Sequence, residues 1–322
     1  MSNPELFEHV EVPFKVESHH AGLRLDEFLK ARLPRYSRNE IHNLIDKRLV
    51  QKGRGLKKAS IVRTGDEVFL LCPKKEESVQ DIVIPVLYED DHILIVNKPP
   101  DMSVHSTNPW GKNDLIQQLR RQRSDNKLFL AHRIDRETSG IVLIARSSEI
   151  ARRLGEAFSG RGIEKEYTAL VFGEIKGDTG IIDLPIGRDE ASPVKIKMAA
   201  GKGLGAPSIT EYSVVQRFKG FTLVNARPKT GRQHQIRVHF SAIGHPLVGD
   251  KIYKDERLFL KFIKDGFTDE LKEELLLDRH ALHASKLSFK HPITGLLLKI
   301  EAELPKDLRV FIRYLSQHIN LA

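Results

Sequence analysis

A single cysteine, Cys72, stands among 322 residues. It excludes an intrachain disulfide and any multi-cysteine zinc or iron–sulfur centre. No apolar run comes near the roughly 18–20 residues of a membrane-spanning helix; IVLIA and LLLD are typical of the longest. The opening residues, MSNPELFEHVEVPF, contain acids and no basic segment followed by an apolar one, so no secretory signal is read there. A cytoplasmic protein is expected. Nucleotide-phosphate and serine-hydrolase signatures are missing too: neither GxxxxGK[ST] nor GxSxG occurs. GKGLGA, from Gly201 through Gly203 and Gly205, has the wrong spacing for a dinucleotide fingerprint and reads as a flexible hairpin. The 14 histidines include no HExxH, and His234 and His239, five apart, fall on different faces of a helix. No metal is expected.

What the chain does have is positive charge in one place. Its formal net charge is +9, and between Lys30 and Arg63 eleven Lys/Arg face two acids, Glu40 and Asp46. The remainder therefore sums to zero. A surface serving solubility alone intersperses both signs, so this stretch is read as the footprint of a polyanion, with nucleic acid as the leading partner.

The basic stretch has the makings of a small domain. LRLDEFLKARL puts Leu25, Phe28, Leu29 and Leu33 on one helical face, and Pro34 stops that helix. Ser37 and Glu40 make a capping box for a second helix that turns Ile41, Leu44 and Ile45 inward and Arg38, His42 and Lys47 outward. Strand-like pieces follow at 49–51, 61–63 and 67–71, the last after a Gly65-Asp66 turn. The expected division is a domain over 14–73, a polar linker over 74–81 and a second domain over 82–322. Beyond the linker, strands are read at 93–97, 141–145, 167–172, 221–226 and 296–302, and helices at 148–158 and 308–316. Their mixed order favours α+β over a doubly wound parallel sheet.

Two segments concentrate polar groups. In LAHRIDRETSGIVLIA (130–145) a polar loop runs straight into an apolar strand, a common way for a scaffold to position a site. Asp135 lies between Arg133 and Arg136, which would keep it ionised. Thr138 and Ser139 could brace the loop by bonding backbone groups, and Gly140 permits geometry that other residues resist. The second segment is KTGRQHQIRVHFSAIGHPLVGDKIY (229–253): Thr230 is read as an N-cap, Ile236, Phe240 and Ile243 as one helical seam, and Gly244 with Pro246 as the stop. Arg237 borders that seam and needs a carboxylate or a phosphate. Read as residues alone, each segment also fits an ordinary polar turn or a helix-cap arginine.

Taken together, the motifs resemble known families. RLDEFL, PRYSRNEIHNLI and TGDEV over residues 20–72 look like the RNA-binding domain named after small-subunit ribosomal protein four, although QKGRGLKK (51–58) replaces its usual valine-asparagine-glycine turn. HRIDRETSG, GRQHQIRVHFSAIGHPLVGDKIY, IVNKPPDMSVH, EKEYTALVFG and RHALHASKLSFKHPITG together resemble the RluA-type RNA pseudouridine synthases over nearly the whole chain. Ile134 stands where leucine is commoner in that pattern. The resemblance implies a catalytic domain built on a largely antiparallel mixed sheet. It implies Asp135 as the catalytic aspartate, Tyr167 as the active-site tyrosine and Arg237 as the arginine paired with the aspartate. RNA contacts are expected at Arg133, His132 and Lys98, and on the basic domain at Arg38, Lys47, Arg48, Lys52, Arg54, Lys57 and Lys58. An isomerisation needs no cofactor, and none is expected. The expected partner is RNA, with large-subunit ribosomal RNA ahead of transfer RNA, and the expected state is a monomer away from membranes. Outside this family, a glycoside hydrolase would need a second carboxylate about 5–10 Å from the first, for which Glu137 is the obvious candidate. A noncatalytic RNA-binding module would leave the second domain unexplained.

Overall fold

The structure is a computed structural model that describes residues 9–33, 36–50, 55–73, 79–105, 112–123, 127–160 and 162–319. The chain divides into two compact units, with the described residues up to 73 in the first and those from 79 in the second. In the first, β1 (His9–Lys15) is followed by α1 (Leu25–Arg32), α2 (Arg38–Arg48), β2 (Leu49–Val50) and β3 (Glu67–Pro73), and β3 is the middle strand of an antiparallel sheet. The apolar face of α1 is buried as read: Leu25, Phe28 and Leu29 pack with Ile41 and Ile45 of α2 and with Val62, Val68 and Leu70. Ser37 and Glu40 form the capping box, Ser37 N donating to Glu40 Oε2 at 2.6 Å and Glu40 N to Ser37 Oγ at 3.3 Å. The strand expected at 61–63 is only a bridge between Ile61 and Arg24. β1 was not anticipated: its seven residues pair along β3 from His9↔Pro73 to Lys15↔Glu67, starting ahead of residue 14. Pro34, Gln51, Lys52 and Arg54 lie outside the described residues, as does the linker segment 74–78.

The second unit begins with β4 (Val86–Glu89), β5 (Ile93–Lys98), α3 (Leu115–Arg123), β6 (Phe129–Leu130), β7 (Ser139–Ala145), α4 (Ser148–Ser159) and β8 (Ile163–Phe172). It continues with β9 (Thr179–Asp183), β10 (Ile186–Arg188), β11 (Met198–Ala200), β12 (Ile209–Phe218), β13 (Phe221–Pro228) and α5 (Gln235–Ala242). α6 (Glu256–Asp265), α7 (Asp269–Leu275), β14 (Leu282–Lys290), β15 (Leu297–Glu301) and α8 (Lys306–His318) complete it. A ten-stranded sheet runs β4-β5-β7-β14-β8-β13-β12-β9, with β15 added on β14 and β6 on β7. Among the described residues its only parallel pairing is the short one between β7 and β14. The fold is α+β, as the order of elements implied, with the mixed, largely antiparallel sheet that the resemblance implied.

The core shows why β7 is so apolar. All seven of its residues are buried, and they alternate between two layers. Ile141, Leu143 and Ala145 enter the layer that contains Ile93 and Ile95, whereas Val142 and Ile144 enter the one that contains Leu94 and Val96. Each such aliphatic side chain contributes about 1.5–3 kcal/mol on burial. Where β7 meets β14, Gly140 adopts φ +109°, and a Cβ there would lie 2.3 Å from Ala284 O. Gly244 at the end of α5 also has positive φ, but open space surrounds the position of its missing Cβ. Gly244→Ala should therefore cost roughly 1–2 kcal/mol of backbone strain, and Gly140→Ala should exceed it by at least about 2 kcal/mol or fail to fold. Urea unfolding of the two variants in parallel checks this; equal midpoints would contradict the close approach at Gly140.

Candidate active site

A cleft of about 560 Å³ opens beside β8, between the loop that leads into β7 and the turn that follows β13. Its walls come from the loop before β7 (His132, Arg133, Ile134, Asp135, Thr138), the end of α4 (Phe158, Ser159), β8 (Lys165, Tyr167) and the turn from Pro228 into α5. Ile134 is buried with Leu94, Val142 and Ile144 beneath the loop, fixing the backbone from which Asp135 projects. The loop closes with Thr138 N donating to Asp135 O at 3.2 Å.

Asp135 is held from α5. Arg237 Nη1 donates to Asp135 Oδ2 at 3.0 Å, while Nε and Nη2 fork onto Asp250 Oδ2 and Oδ1 at 2.6 and 3.0 Å. The guanidinium is only 5% exposed and lies over the Tyr253 ring, 4.9 Å from its centre. Asp250 in turn accepts from Ile252 N and Tyr253 N at 3.0 and 3.1 Å. Burial opposes the charge of Asp135, but Arg237 outweighs it and holds the carboxyl below its ordinary range. Burial likewise opposes ionisation of Asp250, and Arg237 prevails there too. The flanking arginines do not perform this task. Arg136 donates to Asp101 O at 3.2 Å, and Arg133 is exposed at the mouth of the cleft. His234 lies 3.9 Å from Asp135 Oδ2. Tyr253 Oη accepts from Met198 N at 3.0 Å and shares a hydrogen bond with His234 Nδ1 at 2.8 Å. Burial pushes His234 down to about 4, so the ring is neutral at physiological pH.

Tyr167 sits where three core layers meet, paired with Ala226 of β13 and Ala284 of β14. Burial, with Asp135 nearby, raises its phenol well above the usual range, so it keeps its proton. His132 stacks on Phe158 with ring centres 4.6 Å apart, and its Nε2 accepts from Leu143 N at 2.9 Å. That bond puts the ring proton on Nδ1, and burial lowers the group to about 3, making His132 a neutral donor.

Several expectations need correction. Lys98 does not reach RNA: it is 0% exposed, and its three N–H groups donate to Pro99 O and Met102 O at 2.8 Å and Arg136 O at 3.0 Å. It ties the end of β5 to the Asp135 loop, and burial brings its pKa down to about 7. Thr230 does not cap α5. His234 is the N-cap residue, at φ 55°, and Thr230 instead donates to Gln235 Oε1 at 2.7 Å. Thr138 and Ser139 bond side chains rather than backbone, to His280 Nε2 at 2.8 Å and His283 Nδ1 at 3.0 Å. Glu137 is no second catalytic acid: Lys251 donates to it at 2.9 Å, and His280 Nδ1 lies 3.2 Å from its other oxygen. On the first unit, Arg38, Lys47 and Lys57 are exposed and Arg48 is half-buried, whereas Lys58 is paired with Asp46 at 2.5 Å.

Sequence reasoning missed Asp250, Tyr253 and Lys165. GDKIY is part of the second motif, but nothing in its spacing says that Asp250 turns back onto Arg237. Away from the cleft, Glu17, His19 and His20 bring possible metal-ligand atoms within 4.8 Å of one another on one short turn. In the cleft, Asp135 is the single carboxylate among lining residues that include Arg133, Lys165, Lys229, Arg232 and Arg237. One held carboxylate among cations suits chemistry at a sugar carried on a polyanion.

Comparison with known proteins agrees. A family model described as RNA pseudouridylate synthase matches residues 92–242. Ribosomal large subunit pseudouridine synthase D of Escherichia coli (strain K12) is 33% identical over 310 residues, 94% of this chain and 93% of that protein. The protein of the same name from Yersinia pestis is 34% identical over 318 residues, 96% of each. The solved structure of human RNA pseudouridylate synthase domain containing 4 shares the fold, with TM-score 0.58 and 24% identity over 74% of this chain and 94% of that one. The chain belongs to the RluA-type RNA pseudouridine synthases and is an isomerase acting on RNA. Among the described residues no helix is long and apolar enough to cross a membrane.

The depressed carboxyls make stability pH-dependent. Asp135, Asp250 and Glu137 release protons more readily folded than unfolded. Their contribution is complete above the unfolded carboxylate pKa of about 4 and is lost as pH falls through the lower folded values. Asp250→Asn should start about 3 kcal/mol less stable at neutral pH and lose stability less steeply on acidification below pH about 4. Urea unfolding across that range measures both; a parallel pH slope would show that the pair does not store this energy.

Proposed function

We propose that this chain converts uridine to pseudouridine in large-subunit ribosomal RNA, with Asp135 reacting at the ribose, Arg237 keeping it ionised and aimed, and Tyr167 supporting the extruded base. The observation that carries the reading is the lone, cation-held carboxylate in a cleft whose other charged lining residues are all Lys or Arg. In the reaction the C1′–N1 bond breaks with its electron pair going to uracil. The base turns, C5 bonds to C1′, C5 loses its proton and N1 gains one, so the product is an isomer. An ionised carboxylate serves either as nucleophile at C1′ or as base toward the 2′ hydrogen, and both routes need what Arg237 supplies. The target must leave its stack first. Arg133, exposed at the mouth, is placed to fill the space or hold a phosphate.

The ribosomal target is supported by the relatives named for the large subunit and by the basic first unit. We read that unit as an RNA-binding domain of the small-subunit ribosomal protein four type. In it, Asp26 is buried and accepts from Arg24 Nε and Nη2 at 3.0 and 3.1 Å, with His42 Nε2 3.0 Å away and Arg38 at 3.7 Å. Arg24 above all keeps the Asp26 carboxyl down at about 2. One carboxylate thus pins several basic groups, while Arg38 stays 70% exposed for a phosphate.

Asp135→Asn keeps size and hydrogen bonding but removes the charge. It should abolish pseudouridine formation in ribosomal RNA while preserving RNA binding. Tyr167→Phe keeps the ring and should keep affinity, and Tyr167→Ala should lose it; a turnover loss in Tyr167→Phe would give the hydroxyl a proton-moving role as well. Base mapping of RNA from a deletion strain names the target: a missing pseudouridine in transfer RNA alone would refute the ribosomal assignment, and full activity of Asp135→Asn would refute the site.

The basic face makes a separate prediction. Replacing Arg38, Lys47 and Lys57 by Ala in the full chain should weaken binding and flatten the log–log salt dependence, by about 0.7–0.9 for each phosphate that is no longer neutralised. At saturating RNA the rate should hold, because such cations bind ground and transition states alike. Filter binding across a salt series, with single-turnover rates, reads both; an unchanged slope would assign this face another role.

A further inference from the structure

Lys165 is a cation in the cleft that the roles above leave unused. It stands two positions before Tyr167 on β8, on the same face of the strand. Among the described residues its Nζ has one partner, Thr230 O at 3.3 Å, and no carboxylate. Loss of water lowers its pKa, with no acid nearby to restore it. Beside it is Gly231, whose absent side chain leaves the space near Nζ open. His132 also lines the cleft, neutral, with Nδ1–H unpartnered among the described residues. The cleft thus holds Asp135 with its guanidinium and, besides them, two donors that no carboxylate engages among the described residues.

We infer that Lys165 is a further catalytic residue, its ammonium stabilising the uracil anion that departs from the ribose, with His132 as an uncharged second donor. This rests on the proposed roles of Asp135 and Tyr167. A base stacked on Tyr167 puts its edge next to the strand's neighbouring side chain on that face, which is Lys165. When the C1′–N1 bond breaks, its electron pair enters the uracil ring and the charge spreads over N1, O2 and O4. Asp135 balances the change at the sugar, by bonding C1′ or by taking the 2′ proton. Lys165 transfers no proton: it donates N–H hydrogen bonds to a carbonyl oxygen as negative charge grows there. Such a donor accelerates the step because its partner becomes a better acceptor in the transition state than in the bound substrate. The missing acid partner matters here, since a nearby carboxylate would cancel the field the anion needs.

The test uses the full chain with Lys165→Met, which keeps the apolar stem, and Lys165→Arg, which keeps the charge. Thermal melting ensures that only folded variants are compared; Lys165→Arg alone, with intact affinity and a reduced rate, suffices if the Met variant melts early. Single-turnover rates at saturating RNA should fall about ten- to a hundredfold in Lys165→Met and recover in part in Lys165→Arg, with Kd within about twofold throughout. A weakened Kd and a smaller salt slope at an unchanged saturating rate would make Lys165 a phosphate ligand and overturn the inference, as would wild-type behaviour of both variants. Asp135→Asn run alongside separates the two levels. If it is inactive while Lys165→Met is not, only the Lys165 assignment fails; if it too is fully active, the reading of the whole site fails.

Discussion

One buried guanidinium between two carboxylates governs the catalytic unit. Arg237 forks onto Asp250 and gives its remaining arm to Asp135. Taking three charges out of water costs several kcal/mol per ion, and attraction repays this only when geometry is good and every remaining donor or acceptor is satisfied. The surroundings meet that demand on one side only. Asp250 is fully enclosed and accepts two further backbone N–H groups, and the Tyr253 ring covers the guanidinium. Asp135 is left partly exposed, with one guanidinium arm and, among the described residues, no backbone donor to its carboxylate. The asymmetry separates the roles. Asp250 is a fixture that orients the arginine, and Asp135 is the carboxylate left open to the cleft. A lysine at 237 could not serve both acids, because a point charge has no fork.

The sheet exists, from the cleft's viewpoint, to bring the two segments of this triad together. They are 102 residues apart in sequence. The loop that carries Asp135 is fixed from several sides: Ile134 is buried below it, Lys98 grips Arg136 O, and Arg279 Nη1 grips Glu137 O at 3.0 Å. Thr138 and Ser139 bond His280 and His283 just where β7 and β14 run parallel. Gly140 makes this crossing possible by letting the two backbones approach. The loop is therefore short of freedom in every direction but that of the Asp135 side chain, which is the condition for placing a reactive carboxylate to within a fraction of an ångström.

How much of this was legible depended on how local the physics is. The faces of α1 and α2, the Ser37–Glu40 box, the fully buried β7 and the helix after Ser147 follow from spacing and capping, and the structure has them. The positions of Asp135, Tyr167 and Arg237 came from motif resemblance, and they do line one cleft. What failed was non-local. Lys98 looks like a surface cation beside two prolines, and only a three-carbonyl cage in the fold shows otherwise. Asp250 reads as a turn residue until the chain folds back on α5. Thr230 has the right chemistry for an N-cap, but the backbone reaches helical geometry only after His234, which takes a left-handed conformation that nothing in the motif's spacing marks. β9 and β12 were missed because their exposure pattern is mixed, with Ile181 and Val215 facing solvent.

Charge divides the labour between the two units. The excess of +9 lies between Lys30 and Arg63, in the first unit. The remainder of the chain is neutral overall yet cationic where it counts: five Lys/Arg and one carboxylate line the cleft. A catalytic surface that was basic everywhere would hold RNA in many unproductive registers, since phosphate contacts carry no sequence information. Pairing surface cations, as Arg152 with Glu149 and Glu156 or Arg217 with Asp178, removes that competition. It leaves Arg133, Lys165, Arg232 and Arg237 at the cleft, and exposed cations such as Arg38, Lys47 and Lys57 on the first unit.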